Sequence, residues 1–193
     1  EKAVIKNYVG HDIKKKDGSN DKKDVTLFDS SEQSLNYTLT AKEVNINTGD
    51  LYFQTSGVTD STVTFTAQAG QGKTISLKYV LGKDYMLHME MSAQGMAGLF
   101  APNTQNMDVN WKDKARQQER GFSFENRYAT LTYHKTEGGT DYLNESKENI
   151  DKSIEEKIDW VAFKNQFFSA VMIAKNDFQE NALMTSIPQE KGS

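Results

Sequence analysis

Thr62-Val63-Thr64-Phe65-Thr66-Ala67-Gln68, then Thr74-Ile75-Ser76-Leu77-Lys78-Tyr79-Val80-Leu81, then Tyr85-Met86-Leu87-His88-Met89-Glu90-Met91, is the stretch whose reading decides the fold. Apolar and polar residues alternate in all three segments, the pattern of a half-buried β-strand. Val63, Phe65 and Ala67 fall on one face, with Thr62, Thr64 and Thr66 on the other. Ile75, Leu77, Tyr79 and Leu81 alternate with Thr74, Ser76 and Lys78, and Tyr85, Leu87, Met89 and Met91 with Met86, His88 and Glu90. Gly70-Gln71-Gly72 and Gly82-Lys83-Asp84 sit where hairpin turns are needed. The spacing predicts a three-stranded meander over residues 62–91.

Working outward, further strands are expected at residues 25–28, 35–40, 51–54, 107–111 and 128–134. The last is followed by a turn at Glu137-Gly138-Gly139-Thr140. Residues 95–101 read as an ordered loop. Only two prolines are present, so few strands are interrupted. Over residues 144–157, Ile150, Ile154 and Ile158 recur at i, i+4 and i+8 among Glu and Lys, which predicts a short amphipathic helix. A charged irregular connection is the alternative there. The most apolar part, residues 160–174, reads as two strands around Lys164-Asn165-Gln166. Many strands with one or two short helices make the chain mainly β, of sandwich type.

A chain of 193 residues suffices for one domain with a real core, and residues 1–193 are expected to form a single one. Its net charge is −4, from 23 basic and 27 acidic residues that intermingle. Phosphate recognition needs a basic surplus, so a nucleic-acid partner is not expected. Lys14-Lys15-Lys16 and Lys22-Lys23 alternate with Asp17, Asp21 and Asp24, as in a solvated loop. Without cysteine there is no disulfide, thiolate nucleophile or Cys-ligated zinc. No apolar run reaches the roughly 18 residues of a membrane span. Glu1-Lys2 opens no signal peptide, which fits a cytosolic, a processed or an excised chain alike.

Candidate sites are few. Ala67-Gln68-Ala69-Gly70-Gln71-Gly72-Lys73-Thr74 fits a relaxed phosphate-loop pattern. Such a loop needs a helix N-terminus behind it, and here a strand is expected, so nucleotide binding is not. The histidines are His11, His88 and His134, none spaced from another as paired metal ligands are. His88 and Glu90 share a strand face, an arrangement open to acid–base work on a sugar, against the plainer reading of a solvated polar face. Paired carboxylates for glycoside hydrolysis cannot be chosen among 27 acids, and no Gly-x-Ser-x-Gly elbow is present. Trp160, Phe163, Phe167 and Phe168 are a ligand platform or, more in keeping with aromatic density on a strand pair, core. As core, Trp160→Ala would cost about 3–5 kcal/mol.

Trp160-Val161-Ala162, followed by Gln166-Phe167-Phe168-Ser169-Ala170, resembles the large periplasmic domain of Gram-negative YidC-type membrane-protein insertases. The segment Asp24-Val25-Thr26-Leu27-Phe28-Asp29 and the turn Leu81-Gly82-Lys83-Asp84-Tyr85 are similar to that family's as well. The resemblance implies a β-supersandwich like that of galactose mutarotases, trimmed at both ends, on the periplasmic side of the inner membrane. It also implies a parent tethered by membrane helices outside this chain, which aids insertion and folding of membrane proteins alone or with the Sec translocon. In this family the insertase groove belongs to the membrane bundle, so no catalytic, cofactor or metal residue is expected here and the chain is not expected to be an enzyme. The implied partners are Sec translocon subunits and nascent membrane proteins. A carbohydrate-binding or mutarotase-like domain is the alternative.

Overall fold

A computed structural model describes residues 2–8, 23–100, 102, 104, 106–116, 118, 122–143 and 148–188. From the N-terminus run β1 (Lys2–Tyr8), β2 (Lys23–Asp29), β3 (Gln33–Leu39), β4 (Ile46–Asn47) and β5 (Phe53–Ser56). The meander follows as β6 (Thr62–Gln68), β7 (Thr74–Leu81) and β8 (Leu87–Gln94). β9 (Met107–Asp113) precedes the five-residue helix α1 (Phe122–Asn126). Then come β10 (Thr130–Lys135), β11 (Thr140–Leu143), β12 (Ile150–Ile154), β13 (Ile158–Lys164), β14 (Ser169–Phe178) and β15 (Ala182–Ser186). The mainly β class is as expected. Among the described residues no helix is long and apolar enough to cross a membrane.

Two compact units divide the chain, one of Ser34–Trp111 and one of Glu1–Gln33 with Lys112–Ser193. The first contains the antiparallel sheet β5-β6-β7-β8. Its register places Phe65 opposite Leu77 and Ala67 opposite Ile75, then Leu77 opposite Met91 and Tyr79 opposite Met89. The alternation puts Phe65, Ala67, Ile75, Leu77, Tyr79, Met89 and Met91 on one face, with Ile75 and Ala67 sealed from solvent and Leu77 nearly so. Tyr85, expected to begin the third strand, instead stands exposed in the turn at φ 65, because the Gly82 N–H donates to the Met86 carbonyl and the strand starts only at Leu87. The other face keeps polar pairs, including Thr66 and Ser76 hydroxyls 3.0 Å apart. At the end of β8 the loop from Gly95 buries Met96. Gly95 sits at φ +67, and a Cβ there would run into the Gly72 carbonyl, so only glycine lets this loop close on the β6–β7 turn. A second sheet, β4-β3-β9, buries Tyr37, whose backbone N–H donates to the Thr48 hydroxyl at 2.9 Å.

The other unit is built on the sheet β11-β10-β13-β14 and the separate pairs β12-β15 and β1-β2. Leu131, Tyr133 and Leu143 from the sheet pack with Ile154, Ile158 and Met184 into one cluster. That cluster lays β10, β11 and β13 against the β12–β15 pair, sheet on sheet, in the manner of a sandwich. Tyr133 is fully buried, and its hydroxyl donates to Asp141 at 2.9 Å. Lys152 on β12 reaches the same carboxylate oxygen at 2.8 Å, joining the layers at their rim. Those bonds, with one from the Tyr142 N–H, hold the Asp141 carboxyl down at about 2, the Lys152 ammonium contributing most.

The helix expected over residues 144–157 is not formed. Residues 144–147 lie outside the described residues, and Ile150–Ile154 is the strand β12. A spacing of four is even, so it fits the two-residue strand period as well as a helical turn. Ile150, Lys152 and Ile154 accordingly point inward while Asp151 and Ser153 are exposed. β-Branched isoleucine favours the strand. Ile158 belongs to β13, beyond a turn.

Candidate functional site

The phosphate-loop pattern lies on the β6–β7 hairpin. Gly70 and Gly72 take positive φ in the turn, the Ala69 N–H donates to the Lys73 carbonyl at 2.8 Å, and the Lys73 N–H donates to the Gly70 carbonyl at 3.1 Å. Those amides are committed to the turn, and a strand follows, so no cradle for phosphate exists there.

The histidines are not brought together. His11 lies outside the described residues. His88 and Glu90 are both exposed on β8, with Glu90 directly opposite Lys78, so they form a solvated charged face. His134 Nδ1 lies 2.9 Å from Asp159 Oδ1, and the ring stacks on Trp160 with centroids 5.9 Å apart. Among the described residues no group of three or more His, Asp or Glu could hold a metal ion.

The aromatic cluster splits across the sheet. Cross-strand register puts Phe163 in line with Leu131 and Ala170 on the core face, where it packs against the buried cluster. Trp160 lies on the opposite face, between His134 and Ile173, and is only half-buried. Phe167 is exposed in the turn. The core reading therefore holds for Phe163 and fails for Trp160, because adjacent positions in a strand face opposite ways.

Two features have no counterpart in the motif reading. The first is a small cavity of about 30 Å³ lined by Phe28, Asp113, Arg116, Phe163, Phe168 and Ala170 among others. Asp113 ends the inward-facing series Val109, Trp111, Asp113 on β9, and that alternation was the available signal. Its Oδ1 is buried with no hydrogen-bond partner among the described residues. Burial, and then the Glu32 carboxylate, push the Asp113 carboxyl up to about 6. Arg116 does not relieve it, since that guanidinium is shared between Asp29 at 3.1 Å and Glu32 at 3.0 Å.

The second is a partly exposed, largely apolar row on the outer face of the β11-β10-β13-β14 sheet, in which Tyr142, Val171 and Ile173 are exposed while Ala162 is buried. Tyr142, Thr132, Ala162 and Val171 lie side by side across the four strands, and His134, Trp160 and Ile173 form the next row. Val171 is 51 % exposed and Ile173 56 %. Apart from His134, which is paired with Asp159 and stacked on Trp160, these side chains offer mainly contact area.

The family model of the YidC periplasmic domain matches residues 11–191. This chain belongs to that family. The membrane protein insertase YidC of Phocaeicola vulgatus is 44% identical over 192 residues, covering 99% of this chain and 29% of the relative. Its counterpart in Bacteroides fragilis is 39% identical over 97% of this chain, and that of Parabacteroides distasonis 36% over 89%. The chain spans less than a third of the length of these relatives, 29%, 29% and 27%. No solved structure matches it. The segments that carry the YidC resemblance are β2, the β7–β8 turn, and β13 with the start of β14. The apolar row of this YidC periplasmic domain thus runs through one of them.

Proposed function

We propose that this chain is the periplasmic domain of a membrane protein insertase and that it acts by protein contact, not by catalysis. It works on the periplasmic side of the inner membrane, in a parent protein whose membrane-tethering segments lie outside this chain. There it helps nascent membrane proteins to insert and fold, alone or beside subunits of the Sec translocon. The observation that carries this reading is the family match over residues 11–191, joined by relatives that bear the name membrane protein insertase. The exposed side chains Val171 and Ile173 on that sheet support it, because they offer uncharged area for contact with another chain.

Affinity capture from membranes, with the full-length parent and with the parent lacking residues 1–193, tests the reading. Translocon subunits or nascent membrane proteins should be recovered with the intact parent and depleted without the domain. Equal recovery in both would overturn the contact role. Glycan-array binding or mutarotation by the isolated chain would replace it with the carbohydrate reading.

A further inference from the structure

An edge strand presents unpaired backbone N–H and C=O groups, a template for another strand, and proteins normally blunt it with short length or charge. In the sheets of three or more strands described here, the edges are β4, β5, β8, β9, β11 and β14. β4 has two residues, and β5 and β11 have four each. β8 is long, but its exposed side chains include His88, Glu90, Ser92 and Gln94. β9 exposes Asp108, Asn110 and Lys112. β14 differs: it has ten residues, and where it runs in register with β13 its outward side chains are Ser169, Val171 and Ile173.

That open stretch has defined ends. Before it, the Asn165 side chain accepts hydrogen bonds from the Phe167 and Phe168 N–H groups at 2.9 and 2.7 Å, closing the turn from β13. After it the register with β13 breaks between Ile173 and Phe178, Asp177 takes φ 58, and Lys175 is exposed. A bulge and a lysine are devices that stop edge pairing. They protect the far half of β14, whereas over residues 169–173 no described strand pairs with its outer edge.

We infer that residues 169–173 of β14 accept an extended polypeptide segment as an added strand, with alternate aliphatic side chains seated beside Val171 and Ile173. This rests on the reading that the domain works by protein contact, and it names the site and the partner's chemistry. Main-chain pairing makes the partner an extended peptide, and the uncharged outward face makes its alternate residues aliphatic. Five extended residues span about 17 Å, so the contact buries on the order of 400 Å² in total. A stable pair of folded proteins needs about 1,200 Å² or more, so two copies of this chain gain too little there to remain dimeric. A transient strand that is bound and released fits the size of the site.

The probe is a capped peptide, Lys-Thr-Val-Thr-Val-Thr-Lys, added to this chain while amide exchange and Trp160 fluorescence are followed. Trp160 pairs directly with Ile173 and reports on occupancy. Slowed exchange within residues 169–173, unchanged exchange in β8, and a Kd on the order of 0.1–1 mM are expected. The double variant Val171→Lys/Ile173→Lys should weaken binding at least tenfold while keeping the wild-type unfolding midpoint, since both positions are exposed. No protection at millimolar peptide, or equal protection of β8, overturns the inference. So does a concentration-dependent dimer through β14 that the peptide fails to dissociate. If the parent still captures its partners while the peptide does not bind, only this inference falls. If the peptide binds and the parent captures nothing, the contact role falls and the strand-accepting edge stands.

Discussion

β8 and β14 occupy the same position in two sheets of four antiparallel strands, yet they meet solvent differently. β8 turns His88, Glu90, Ser92 and Gln94 outward, and Glu90 faces Lys78 across the ladder. β14 turns out Val171 and Ile173, next to Ala162 and Trp160. Both sheets draw their stability from the opposite face, through Ile75 and Leu77 in one and Leu131 and Tyr133 in the other. Apolar residues on the outer face of β14 are therefore not required to hold its sheet together. Their exposure has to be accounted for by what they meet.

The largest expected effect tests whether the inner face carries the stability. Ile158, at the start of β13, is 1 % exposed within the core cluster, so Ile158→Ala should cost about 3 kcal/mol in urea unfolding. Ile173→Ala should cost under about 1 kcal/mol. Equal costs would break the distinction between the faces. Trp160 lies between these limits, half-buried and stacked on His134. Trp160→Ala should cost about 1–2 kcal/mol, less than the loss for a core tryptophan.

Asp113 gives a smaller effect with a pH signature. Burial raises this carboxyl from its ordinary 3.8 to about 6 in the folded protein, so the native state holds the extra proton between them. Stability on its account is greatest below about pH 4 and falls as pH rises through about 6. Asp113→Asn should raise stability at pH 7 by on the order of 1 kcal/mol, after allowing for its partial exposure, and flatten the profile between pH 4 and 6. A fall in stability at pH 7 would show that the carboxylate has a favourable partner. The smallest effect sharpens the edge comparison. Glu90→Val should change stability by less than about 0.5 kcal/mol and let the capped peptide slow amide exchange in β8, giving β8 some of the character of β14.

Much of the fold was legible because alternation is a local signal. The meander register, the two glycine turns and the break at Lys164-Asn165-Gln166 all follow from side chains a strand must place inward or outward. Ile150 and Ile154 misled because a spacing of four serves both periods, and the deciding pairing partner, β15, lies some thirty residues away in sequence, Ile150 opposite Ser186 and Ile154 opposite Ala182. The helix α1 was missed because Phe122–Asn126 is too short to show a helical period. At the candidate site, the sequence showed that residues 160–174 are apolar but not which of them face solvent. That depended on β14 being an edge, a property of sheet order that no local pattern encodes.

The most direct measurement is site-specific photo-crosslinking in the full-length parent, with the reactive side chain replacing either Ile173 or Glu90. Both positions are exposed on long edge strands, so access is matched and only the character of the edge differs. If β14 is the contact edge proposed above, adducts to nascent membrane proteins or translocon subunits are expected from position 173 and few from position 90. Adducts of equal yield from both positions, or from position 90 alone, would contradict it.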